Sequence, residues 1–173
     1  MATLEHASRG DLQAIVDQFA AISWPAEQPE VSAIAERLGW TLDYESSRRL
    51  SYQTSLADRS FADLSVRDGH VSLATIDISS GIDRDDSTQQ AELANAFEEI
   101  CSDLKDTIGI PVNTTRGEFP RVTWDLPNRG RVAVQRLGEV IQFVVLQEEY
   151  ADIERFEESR GIPLDRDPES DLT

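Results

Sequence analysis

The sequence predicts an α+β fold: a mostly antiparallel sheet of about six or seven strands packed against one long central helix, in the order ααββββαβββα. Three observations predict it. Apolar residues recur at helical spacing in two N-terminal segments and again, over the longest stretch, between residues 88 and 108. Period-two alternation marks strands on both sides of that stretch. Tight turns join those strands, so successive ones run antiparallel.

The first helix follows Ser8, which with Asp11 suits a helix N-terminus, and carries Leu12, Ile15, Val16, Phe19 and Ile22 before Trp24-Pro25 ends it. The second carries Val31, Ile34, Ala35 and Leu38, and Gly39 supplies the left-handed residue that closes it. Strands follow at Trp40, Leu42 and Tyr44, at Leu50, Tyr52, Thr54 and Leu56, and at Ala62, Leu64 and Val66, each with one face buried. Asp68-Gly69 forms a tight hairpin into the fourth strand. There Val71 and Leu73 lie in one phase and Ile76 and Ile78 in the other, which predicts a bulge near Ala74-Thr75.

After the loop from Gly81 to Asp86, Ser87 and Gln90 make a capping box for the long helix. Its stripe is Leu93, Phe97, Ile100, Cys101, Leu104 and Ile108, and Gly109 ends it. Three strands come next: Val122, Trp124 and Leu126; Val132 and Val134, across the turn Pro127-Asn128-Arg129-Gly130; and Val140 to Leu146. The last is apolar on both faces and is expected at the sheet centre, covered on both sides. A final helix is expected from Glu148 to Glu158 with Tyr150, Ile153 and Phe156 facing inward. Residues 1–160 then make one domain, and the acidic, proline-broken stretch 161–173 reads as a disordered tail.

Charge sets the class of partner. With 33 Asp+Glu against 16 Lys+Arg, the formal net charge is -17. Such a surface repels nucleic acid and anionic lipid and accelerates encounter with basic proteins. The same excess also serves solubility. The N-terminus lacks the basic stretch and apolar run of a signal peptide, and no segment approaches the roughly 18 apolar residues that span a bilayer. The lone Cys101 cannot form an internal disulfide. A cytosolic location is expected.

Residues that carry chemistry are few. His6 lies near a terminus and His70 on a hairpin, Cys101 sits on an apolar helix stripe, and none has a catalytic spacing. Asp83, Asp85 and Asp86 form an acidic loop, but Arg84 interrupts them and the alternating ligands of a calcium loop are missing. No phosphate-binding glycine motif, nucleophile elbow or paired helical His is present, so no catalytic residue, metal or cofactor is assigned. Trp40 and Trp124 read as core. Trp24, at a helix end beside Pro25, reads as an interface anchor. The residues expected to meet a basic partner are therefore Trp24, Asp83, Asp85, Asp86, Glu148, Glu149, Asp152 and Glu154.

The anchors Leu12-x-x-Ile15-Val16, Ile22-Ser23-Trp24, Ile34-x-x-x-Leu38-Gly39-Trp40, Arg67-Asp68-Gly69-His70-Val71, Ala94-x-x-Phe97 and Gly117-x-x-Pro120-Arg121-Val122-x-Trp124 span residues 8 to 150. In these the chain resembles an uncharacterised actinobacterial family of small cytosolic proteins. Members of such families often sit beside WXG100-type (type VII) secretion genes and polymorphic toxins. The resemblance implies a non-enzymatic companion: an immunity protein that occludes a toxin domain, or alternatively a secretion chaperone or adaptor. It carries no catalytic motif with it.

Overall fold

Ser8 caps helix α1 (Arg9–Ala21) as its spacing with Asp11 predicts: its side chain accepts from the Asp11 N–H while the Asp11 carboxylate accepts from the Ser8 N–H. The remaining elements, over the residues 3–162 that the computed structural model describes, are β1 (Ala26–Glu27), α2 (Gln28–Arg37), β2 (Thr41–Glu45), β3 (Arg49–Gln53), β4 (Phe61–Arg67), β5 (His70–Asp77), α3 (Ser87–Ile108), β6 (Asn113–Thr115), β7 (Arg121–Asp125), β8 (Arg131–Arg136), β9 (Ile141–Leu146) and α4 (Glu148–Ser159). The expected tail lies, from residue 163 on, outside the described residues. The fold is α+β with a fully antiparallel sheet, and it has two strands more than the alternation predicts, β1 and β6. Both are too short, at two and three residues, to show a period.

The strand order β2-β3-β4-β5-β9-β8-β7-β6 is a palindrome of two four-strand meanders, which meet along the β5–β9 pair. β9 is thus central, as its two apolar faces require. Strand β1 pairs with the start of β5. The Asp68-Gly69 turn takes positive φ at both residues (51° and 76°), the geometry of a two-residue hairpin.

Helices α1, α2 and α3 all pack on one face of the sheet. Phe19, Ile34, Leu93 and Leu104 close there over Leu50, Leu64, Ile76, Trp124, Val134 and Phe143. Each large side chain so enclosed contributes roughly 1.5–3 kcal/mol. The buried Trp124 satisfies its N–H on the Gly109 carbonyl, 2.9 Å away. The opposite face has a small apolar cluster, Leu73, Ala133, Val144 and Leu146, capped by Ala151 and Tyr150 of α4.

Four local expectations are corrected. β2 is exposed along its whole length because it is an edge strand, which α2 touches where Gln28 donates to the Glu45 carboxylate. The bulge in β5 falls at Ser72, where Val66 faces Val71 and Ser65 faces Leu73, and so lies nearer the hairpin than the change of phase suggests. Helix α3 is capped by Asp86, whose carboxylate accepts from the Thr88 and Gln89 N–H groups, in place of Ser87 with Gln90. Finally, Ile153 and Phe156 point outward, 50% and 57% exposed; only Ala151 of α4 is buried.

Candidate functional site

The reason for that last reversal lies in strand β8. Arg131 follows the hairpin turn on the strand face away from the main core, and its side chain is 1% exposed. A buried guanidinium without counter-charges is strongly unfavourable. Cross-strand Asp125 accepts from its Nε at 2.9 Å, and α4 supplies the rest: Glu154 at 3.1 Å and Glu158 at 2.7 Å from Nη1. Glu154 also takes Arg121, and Glu158 accepts from Asn113. Partial burial pushes the Asp125 and Glu158 carboxyls up, but the hydrogen bonds from Arg131, with Arg155 on Asp125 and Asn113 on Glu158, more than offset it and leave both below their usual range.

Magnitudes decide the orientation of α4. Rotating it to bury Ile153 and Phe156, each already half covered, would gain about half of 1.5–3 kcal/mol apiece. Removing Glu154 and Glu158 from Arg131 would break a buried ion pair at about 3–5 kcal/mol. The charges win, so the helix lays its acidic stripe on the sheet and turns its apolar residues outward.

This same arrangement builds a surface site at the start of α4. Asn128, in the β7–β8 turn, donates to the Phe19 and Ile22 carbonyls at 2.8 and 2.9 Å, which pins the end of α1 to that turn. Trp24 follows two residues later and packs against Gly130, where a Cβ would come within 2.5 Å of the indole Nε1. Across from it, the Gln147 N–H bonds to the Ser72 carbonyl and fixes the first turn of α4. Trp24, Pro25, Gln147, Glu148, Glu149 and Asp152 then wall a surface cavity of about 310 Å³. The Trp24 Nε1–H is buried without a hydrogen-bond partner. Arg129, in the left-handed region at φ 70°, reaches Glu148 at 2.6 Å and Asp152 at 3.2 Å. These bonds, with Glu148 foremost, raise its already high pKa.

Of the residues expected at a partner site, Trp24, Glu148, Glu149 and Asp152 come together, although 123 positions separate Trp24 from Gln147 in the same wall. Glu154 is turned inward onto Arg121 and Arg131, its side chain 18% exposed. Asp83, Asp85 and Asp86 sit elsewhere. Asp86 caps α3, and Asp85 donates its N–H to the Asp83 carboxylate. Their loop follows the C-terminal end of β5, whereas α4 begins beside Ser72 near its other end, a span of roughly 20–25 Å. Acceptance of the Gln89 N–H holds the Asp86 carboxyl below its usual range. A second cavity, about 360 Å³, opens there between Leu4, Glu5, Asp58, Ile82, Asp86 and Glu92. It has neither an aromatic wall nor an unpartnered buried donor. Sequence reasoning missed Asn128 and Gly130, which position the tryptophan. Their signal was the turn itself, read only as a turn.

The chemistry-bearing residues do not converge. His6 bridges to Ser79, past the C-terminal end of β5, and His70 opens that strand, roughly 30 Å away along it. Cys101 is buried on α3, and burial pushes its thiol up to about 12, so it is a protonated core side chain at neutral pH. Among the described residues no group of three or more His, Cys, Asp or Glu side chains is placed to hold a metal ion, and no helix is long and apolar enough to cross a membrane.

No curated protein and no solved structure matches the chain. A family model does, over residues 10–147, under the description "Family of unknown function (DUF6301)". The match takes in everything from α1 to the N-cap of α4, and so contains Trp24 and the Arg131 strand but stops before the acidic helix that completes the cavity. The chain belongs to this DUF6301 family.

Proposed function

We propose that the chain is a non-enzymatic binding protein of the actinobacterial cytosol, an immunity protein that neutralises a basic toxin domain by occluding it. The observation that carries this reading is the cavity at the start of α4: an aromatic wall, Trp24, faces the carboxylates of Glu148, Glu149 and Asp152. An aromatic face beside carboxylates suits an incoming lysine or arginine, through cation–π attraction and charge-assisted hydrogen bonds. Arg129 already pairs with Glu148 and Asp152, and Arg155 with Asp152, so an incoming cation would meet Glu149 directly and compete with Arg129 for the other two. The net charge of -17 adds long-range steering toward a basic partner.

The test is affinity purification from the source cell, with wild type, Trp24→Ala and Glu149→Gln proteins as bait. The reading expects one basic protein held in a stable complex by the wild type, lost or weakened with both variants, and toxic when expressed without this chain. The association rate with the purified partner should fall as salt rises from about 20 to 500 mM. An acidic or non-toxic partner, or a rate indifferent to salt, would remove the support.

A further inference from the structure

Among the described residues the large apolar side chains left in solvent fall into three groups: Leu42 and Tyr44 on β2, Ile110, Val112 and Phe119 around β6, and Ile153 and Phe156 on α4. They are not equivalent. The β2 pair is interleaved with Asp43 and Glu45 on an irregular edge strand, an arrangement that discourages added strands. The group around β6 is flanked by charges of both signs, Arg116 and Glu118, and so favours neither a cationic nor an anionic partner. Ile153 and Phe156 differ in both respects, because the helix bearing them is held by its other side and its outer surface carries a charge pattern.

Two residues along a helix are 200° apart, so Glu154 and Phe156 lie on nearly opposite sides of α4. The inward side is committed to Arg131 and Arg121. On the outward side Glu149 and Glu157 stand four residues before and four after Ile153, framing the apolar pair. Arg160 already lies over the Phe156 ring, 5.1 Å from its centroid. That seat is filled from within the chain, as Arg49 fills the one over Tyr44 at 5.9 Å, so the charge that selects a partner here is that of Glu149 and Glu157.

We infer that the outer face of α4 is a docking surface for an amphipathic, cationic segment of the protein partner, which seats two apolar side chains on Ile153 and Phe156 and brings lysine or arginine to Glu149 and Glu157. The inference rests on the proposed function for the partner's charge, and it extends the site from the Trp24 cavity along the helix. A second copy of this chain is a poorer occupant, because two molecules that each carry a net charge of -17 repel one another. An anionic membrane is disfavoured by the carboxylates of Glu149 and Glu157.

A photo-crosslinking residue placed in turn at positions 153, 156, 42 and 85, in the source cell, tests this. The expected result is an adduct with one protein of pI above about 9 from positions 153 and 156 and none from position 42. The Ile153→Ser/Phe156→Ser variant should then bind that protein at least about tenfold more weakly with an unchanged circular dichroism spectrum, its melting temperature lowered by only a few degrees because each side chain is already half exposed. Adducts with a basic protein from position 85 or 42 only would overturn the α4 surface and leave the proposed function standing. Adducts with a second copy of the chain, with an acidic protein or with nothing at any position would overturn both.

Discussion

On one face of the sheet Phe19, Leu104 and Trp124 close over an apolar interior, whereas on the other Arg131 is as deeply enclosed by three carboxylates. The first face is held by area removed from water, which is non-directional and tolerates some repacking. The second is held by hydrogen-bonded charges whose geometry fixes which side of α4 faces down. For this reason the apolar residues Ile153 and Phe156 of α4 are left exposed. A helix docked by hydrophobicity buries its apolar stripe, while one docked by charge leaves the stripe in solvent.

The largest effects should come from the buried centre of each face. Phe19→Ala should cost about 3–5 kcal/mol by leaving a cavity under α1, read from urea denaturation. Arg131→Ala should cost a similar 3–5 kcal/mol, because Asp125, Glu154 and Glu158 are left without their partner. Arg131→Met combined with Glu158→Met, which leaves Glu154 paired with Arg121 and Asp125 with Arg155, should recover most of that loss, as apolar replacement of a buried ion pair often does. No such rescue exists for Phe19. A cost under about 1 kcal/mol for Arg131→Ala, the range of a surface pair, would erase the contrast.

The joint between the two faces sharpens it further. Gly130→Ala forces a Cβ to within 2.5 Å of the Trp24 indole and 3.2 Å of the Leu146 carbonyl, and should cost about 1–3 kcal/mol as overpacking. A shifted Trp24 fluorescence spectrum should accompany it. On the apolar face, Cys101→Ser should cost only about 1 kcal/mol and leave partner capture unchanged, since the thiol is enclosed in the stripe of α3. Loss of capture by a folded Cys101→Ser protein would reopen an enzymatic role.

How much of this was legible in the sequence follows the same division. The face held by apolar burial has a period, so α1, α2, α3 and the longer strands could be read from Leu12, Ile34, Phe97 or Leu64 and their spacings. The face held by charge has none. Period assigned Ile153 and Phe156 to the interior because it counts only apolar residues, and nothing local marks Arg131 as the side chain that reverses the helix. The cavity was half legible: Trp24 and the acids of α4 stood out singly. Their meeting depends on Asn128 and Gly130 in a turn more than 100 residues after Trp24.

Helix α4 is held by charge, whereas α3 is held by apolar burial. Asp125 and Glu158 have depressed carboxyl pKa values in the folded state. Their contribution is therefore fully present above their ordinary values near 4 and is lost as pH falls through the lowered ones. Amide hydrogen exchange followed from pH 7 down to about pH 2, below the ordinary carboxyl range, and corrected for intrinsic rates, tests this directly. The predicted result is that α4 (Glu148–Ser159) passes to local opening as the pH drops while α3 (Ser87–Ile108) still exchanges only through global unfolding. Loss of protection by the two helices together at every pH, or an α4 indifferent to acid, would contradict it.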